Sequence, residues 1–171
     1  MASFILIPGA GGVAWYWHRV VPLLEDVGHE AIAVDLPGDD NRAGLAIYAD
    51  RVVDAIGARR EVVLVAQSLG GFTAPLVCAR APVRMLVLVN AMIPIPGETA
   101  GAWWDNTGSI AARTEAARRG GYSPTFDLAA YFLHDVPREV IEEGEGHQRP
   151  ERERPLRADD GRNPWTSSWS A

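Results

Sequence analysis

Ser68 is the residue whose setting points most directly to chemistry. It lies in Val65-Ala66-Gln67-Ser68-Leu69-Gly70-Gly71, after an apolar run and ahead of a helical stretch. A chain that turns sharply from strand into helix strains its turn residue and lifts that side chain out of the layer. Small residues two before and two after the serine, here Ala66 and Gly70, let strand and helix approach closely. A hydroxyl raised there can attack a carbonyl carbon, and the helix N-terminus favours the negative charge that develops. The plainer alternative is a serine that caps a helix.

A second chemical signal is the loop Ile7-Pro8-Gly9-Ala10-Gly11-Gly12. Acyl transfer needs two backbone N–H groups aimed at one oxygen, and the natural pair is Ala10 and Leu69. A phosphate-cradling loop is disfavoured, because Gly9, Gly11 and Gly12 miss the usual glycine register and Trp15 and Trp17 crowd the following turn. A plain turn is the remaining alternative.

Positioning these groups requires strands and helices in alternation. Phe4–Ile7, Ala31–Val34, Glu61–Ala66 and Arg84–Val89 are short apolar runs of buried-strand type. Between them, Val20, Leu23, Leu24 and Val27 make one helical stripe, and Leu45, Tyr48, Val52, Val53 and Ile56 make another. A third helix starts near Leu69 and carries Pro75, which costs a hydrogen bond or a kink. This alternation predicts an α/β fold, a mostly parallel sheet flanked by helices, with ligands at the carboxyl ends of the strands. From residue 94 the pattern changes to a helical segment with Trp103-Trp104, a helix over Ser109–Arg118, and an amphipathic piece from Leu128 through Glu143. Residues 1–93 read as the core, 94–147 as a helical cap whose tryptophans shape an apolar pocket or pack as core, and 148–171 as an atypical tail. That tail has no Val, Ile, Phe, Tyr or Met, so it is expected to lack fixed structure.

Composition narrows the functions. The 171 residues are 47% apolar and 22% charged, with net charge −6, which fits one soluble, globular, cytoplasmic protein. The charge argues against nucleic-acid and anionic-membrane partners. Every basic residue is arginine, so lysine-dependent mechanisms are excluded, and Cys78 alone cannot build a cysteine metal site. No leader or spanning segment is visible, and no cofactor is implied.

Phe4-Ile5-Leu6-Ile7-Pro8-Gly9-Ala10 with Trp15 and Trp17, then Gly28-His29, Asp35-Leu36-Pro37-Gly38 and Ala66-Gln67-Ser68-Leu69-Gly70-Gly71, resembles the α/β-hydrolase superfamily. The resemblance is to the branch of methylesterases, hydroxynitrile lyases and small esterases, over roughly Ser3 to His147. It implies an incomplete α/β-hydrolase fold and acyl-ester chemistry by a serine nucleophile, with an acid and a histidine following in chain order. The chain departs from that family at Pro8 and Gln67, where histidine is usual, and at the first small position of the serine motif, which is Ala66. Lyases of the branch use a lysine, which this chain does not contain.

The expected acid and histidine have no obvious counterpart. His134-Asp135 in the cap is the low-ranked candidate pair, because adjacent helix side chains diverge. His18, His29 and His147 read as structural, Asp35 as a turn-former, Asn90 as unable to ionise, and Asp39-Asp40 as a solvated loop. The tail is expected to replace the family's catalytic C-terminal part, through a shifted frame or a shortened gene. The residues therefore fit a serine esterase for a small ester or acyl substrate, inactive if its triad is incomplete. The alternative is a non-catalytic remnant or binding module of the same fold. The strand 84–89 is expected to be an exposed edge that lowers solubility or pairs with another copy.

Overall fold

A computed structural model describes residues 1–152 of the chain. Four strands form one parallel sheet: β1 (Ser3–Ile7), β2 (Glu30–Ala33), β3 (Val62–Gln67) and β4 (Met85–Val89), in the order β2-β1-β3-β4. Ile5 pairs with Ile32 on one side and Leu64 on the other, and Gln67 pairs with Val89. Helices α1 (Val20–Asp26), α2 (Leu45–Ile56) and α3 (Gly70–Cys78) make the crossovers. Because all four strands run the same way, the loops after Ile7, Ala33, Gln67 and Val89 meet at one edge.

The strand sequences are apolar throughout because both faces of the sheet are covered. Ile5, Ile7, Leu64 and Ala66 pack against α2 and α3 through Tyr48, Val52, Ile56, Phe72 and Val77. Their neighbours Leu6, Val63 and Val65 point the other way, onto Trp17 and the α1 residues Val20, Val21 and Leu24. The strand period of two thus divides one run between two cores. The edge strand β4 is left less covered, and Met85, Leu88 and Val89 are exposed.

Several local outcomes differ from the periodicity. Ala14–Trp17 forms a 3-10 turn. The segment with the two tryptophans is a helix, α4 (Ala100–Asn106), whose first turn is capped by Thr99 Oγ1 accepting from Ala102 N–H at 3.0 Å. Next, α5 spans Ser109–Gly120 and stops at Gly121, which has the left-handed φ of 72° that favours glycine. The expected single piece from Leu128 through Glu143 is two helices, α6 (Leu128–Phe132) and α7 (Arg138–Glu145). Pro137 breaks them apart, since proline disfavours a helical predecessor and donates no hydrogen bond. By contrast, α3 continues past Pro75 to Cys78.

The helical segment rests on the sheet unit at identifiable points. Ala100 lies in the main core, with Trp103 packed against it. Gly144 of α7 is in contact range of the Trp15 ring. Of the stretch expected to lack fixed structure, residues 149–152 are tied to the body by hydrogen bonds, and residues 153–171 lie outside the described residues. Among the described residues no helix is long and apolar enough to cross a membrane.

Candidate active site

Ser68 occupies the turn between β3 and α3 with φ of 49°. Only one other non-glycine among the described residues, Asn90 at 45°, has a positive φ. Such a backbone costs roughly 1–3 kcal/mol and persists only when the surroundings impose it. Here they do. The Ser68 N–H donates to the Val89 carbonyl at 3.2 Å, and the Ser68 carbonyl accepts from Gly71 N–H at 3.0 Å and Met92 N–H at 2.9 Å. The end of β4 therefore grips the turn at the end of β3.

Glycines make this close approach possible. A β-carbon at Gly70 would lie 3.0 Å from Ile7 Cγ2 and 3.0 Å from the Pro8 carbonyl oxygen. One at Gly9 would lie 3.0 Å from Ser68 Cβ and 2.5 Å from Gln67 Oε1. The loop after β1 thus lies directly against the serine. The N–H groups of Ala10 and Leu69 have no hydrogen-bond partner among the described residues. The half-buried Ser68 hydroxyl has none there either.

The candidate bases and acids are scattered. His134 and Asp135 are exposed in the turn between α6 and α7, with no side-chain hydrogen bond among the described residues. His18 and His147 both stack on Trp15, with ring centroids 4.0 and 4.7 Å away, and His18 Nδ1 lies 2.8 Å from the Trp15 carbonyl oxygen. His29 Nδ1 accepts from the Ala2 N–H at 3.3 Å, beside the Phe4 ring. Asp35 accepts from Ala14 N–H at 3.0 Å and from Arg149 Nη2 at 2.7 Å. Asn90 is exposed at the end of β4. Trp103 donates to the Ile93 carbonyl at 3.2 Å, while Trp104 is 48% exposed. Among the described residues no group of three or more metal-ligating side chains comes together.

One arrangement had no signal in the sequence. Glu151 reaches the same edge of the sheet and accepts from Gly11 N–H and from the Tyr48 hydroxyl, each at 2.6 Å. Burial pushes the Glu151 carboxyl up, opposed by the Tyr48 and Gly11 hydrogen bonds and the Arg149 charge. Burial, then the bond to Glu151 and its negative charge, pushes the Tyr48 phenol up as well.

Comparison with known proteins places the chain in a family. A family model described as the alpha/beta hydrolase family matches residues 4–170. The chain is 34% identical over 110 residues to the probable esterase PIR7A of Oryza sativa, covering 57% of this chain and 42% of that one. It is 29% identical over 147 residues to methylesterase 9 of Arabidopsis thaliana, covering 80% and 56%. An extracellular alpha/beta-hydrolase from a Paenibacillus species superposes with a TM-score of 0.70 at 20% identity, over 92% of this chain and 69% of that one, a likeness of fold. The chain spans about half the length of these curated relatives. A parallel sheet, a strained serine where strand meets helix and a sequence match along nearly the whole chain lead to one conclusion: this chain belongs to the alpha/beta hydrolase family.

Proposed function

We propose that the chain is a serine hydrolase of esterase type, acting on a small ester or related acyl substrate. Ser68 is the nucleophile, and the N–H groups of Ala10 and Leu69 hold the oxyanion. The observation that carries this reading is the left-handed Ser68 at the strand–helix turn, with Gly9 against its β-carbon and both N–H groups without partners among the described residues. In the acylation step, Oγ of Ser68 bonds to the ester carbonyl carbon while the carbonyl oxygen takes up the negative charge. Collapse of that adduct expels the alcohol, which keeps the proton lost by the serine. Water then repeats the sequence on the acyl-serine and releases the acid.

Esterase-like relatives make a small-molecule ester the natural substrate class. A second reading, a non-catalytic binding module, is favoured by one observation: no histidine hydrogen-bonds the Ser68 hydroxyl among the described residues. A serine without a base is a weak nucleophile at neutral pH. Hydrolases stripped of their triad members keep only roughly 10³–10⁴-fold acceleration over water.

Fluorophosphonate labelling separates the two. Labelling of the folded chain that Ser68→Ala abolishes supports the hydrolase, and p-nitrophenyl acetate turnover should fall to background in the same variant. Folded protein that is not labelled refutes the hydrolase reading and favours the module.

The edge of β4 that no described strand pairs also supports self-association, with a second copy as occupant. Two β4 strands related by a two-fold axis at Val87 set Met85 against Val89 and Leu86 against Leu88. No charge meets its own kind, and none of the usual edge-blocking residues lies within the strand.

A further inference from the structure

Residues 149–152 form a strap across the carboxyl edge of β1 and β2. Arg149 forks onto Asp35, its Nη2 lying 2.7 and 2.8 Å from the two carboxylate oxygens. The Arg152 N–H donates to the Gly38 carbonyl at 2.8 Å. Between these anchors, Glu151 turns inward and places one carboxylate oxygen on the Gly11 N–H and the other on the Tyr48 hydroxyl.

The two donors do not belong to the strap. Tyr48 is 2% exposed, and its ring is fixed in the main core by α2. Gly11 follows Ala10 in the loop after β1 and has φ of 85°, a conformation that favours glycine. A β-carbon there would clash with the Arg149 carbonyl oxygen, so glycine also lets the strap lie against the loop. Two rigid donors from separate elements converge on one carboxylate, and the Arg149 guanidinium adds positive charge. Asp35, already forked by Arg149, and Asp39 are the negative groups nearby. Such convergence of fixed donors with positive charge is how proteins recognise carboxylates.

We propose that the Gly11 N–H and the Tyr48 hydroxyl form a binding subsite for the carboxylate of a small organic acid, with Glu151 as its built-in occupant. Glu151 is held over the two donors by the Arg149 and Arg152 anchors on either side, so a free acid competes poorly until Glu151 is removed. The inference goes beyond the esterase reading. Its test detects binding rather than turnover, so an inert Ser68 would leave it standing.

The test is an acetate titration of the full ¹⁵N-labelled chain, followed at the Gly11 amide resonance. Acetate is chosen because its methyl carbon stands where Cγ of Glu151 lies. In Glu151→Ala, acetate should move that resonance saturably and bind at least tenfold more tightly than to the unaltered chain. Adding Tyr48→Phe should weaken this binding about tenfold, and chloride at equal ionic strength should not reproduce the shift. The Glu151→Ser variant, which also empties the subsite, guards against loss of fold and must show the same gain over the unaltered chain. A Gly11 resonance that stays still in folded Glu151→Ala, an equal response to chloride, or indifference to Tyr48→Phe would overturn the proposal.

Discussion

Replacing Gly71 by alanine should loosen the turn that holds Ser68. The added β-carbon would meet the Met92 carbonyl oxygen well inside van der Waals contact, with the Met92 carbonyl carbon at 2.9 Å and Ala91 Cβ at 3.1 Å. These are backbone and near-backbone atoms, so no flexible side chain can swing away. The loop after β4 has to retreat, and the 2.9 Å hydrogen bond from Met92 N–H to the Ser68 carbonyl stretches or breaks. Overpacking costs about 1–3 kcal/mol, and a lost hydrogen bond costs about 0.5–1.5 kcal/mol. Alanine returns at most about 1 kcal/mol of helix propensity, and less in a first turn. The net loss is about 2 kcal/mol, which for a chain of this size lowers Tm by roughly 4–8 °C. Gly101→Ala is the matched control. Its β-carbon would find only Thr99 Oγ1, at 3.8 Å, so Tm should rise by about 1–4 °C through propensity alone. Differential scanning fluorimetry on both variants suffices. A Tm for Gly71→Ala equal to or above that of the unaltered chain would refute the close packing of α3 on the loop after β4.

In Gly9→Ala, Gln67 can swing aside but Ser68 Cβ, at 3.0 Å from the added β-carbon, cannot, so the variant should lower Tm and slow fluorophosphonate labelling of Ser68 by about 100-fold if the serine shifts by an ångström; unchanged labelling kinetics would count against the contact. The Arg59 fork, at 2.6 and 2.7 Å, followed by the Ser3 hydroxyl, holds the Glu30 carboxyl down to about 2. Its stabilisation is therefore fully present above the ordinary carboxylate value of 4.5 and is lost as pH falls from there toward 2. Arg59→Ala should accordingly lower Tm at pH 7, with a gap that closes as pH falls through that window, and a gap constant with pH would exclude the pairing. Leu88→Lys should convert a dimer to a monomer in light scattering, since charge on an edge strand blocks strand pairing; an unaltered chain that is already a monodisperse monomer at tens of micromolar would end the self-pairing idea.

The sheet and its crossovers were legible because the hydrophobic period changes cleanly between strand and helix. Leu45, Tyr48, Val52 and Ile56 marked α2, and the whole helix runs between Leu45 and Ile56. Other elements lacked such a signal. In Ala100–Asn106, adjacent tryptophans and an interior glycine hide any helical stripe, and packing of Ala100 into the core fixes the helix instead. The run through Pro137 carries apolar residues on both sides and so suggests one continuous helix, although the proline itself marks the break. The serine turn could be expected from Ser68 and its glycines, since local sterics dictate it. The carboxylate of Glu151 could not. Its partners lie 103 and 140 residues away, and contacts at such separations leave no periodic trace in a single sequence.

Asn90 and Ser68 end adjacent strands in the same unusual backbone conformation, and the serine's amide and carbonyl are both engaged by the tip of β4. The bearing of the hydroxyl is thus governed by the outermost ribbon of the sheet as well as by its own neighbours. Any shift of that ribbon is passed through these two hydrogen-bonded groups to the oxygen, so the rim of the described sheet and the serine turn move as one mechanical unit.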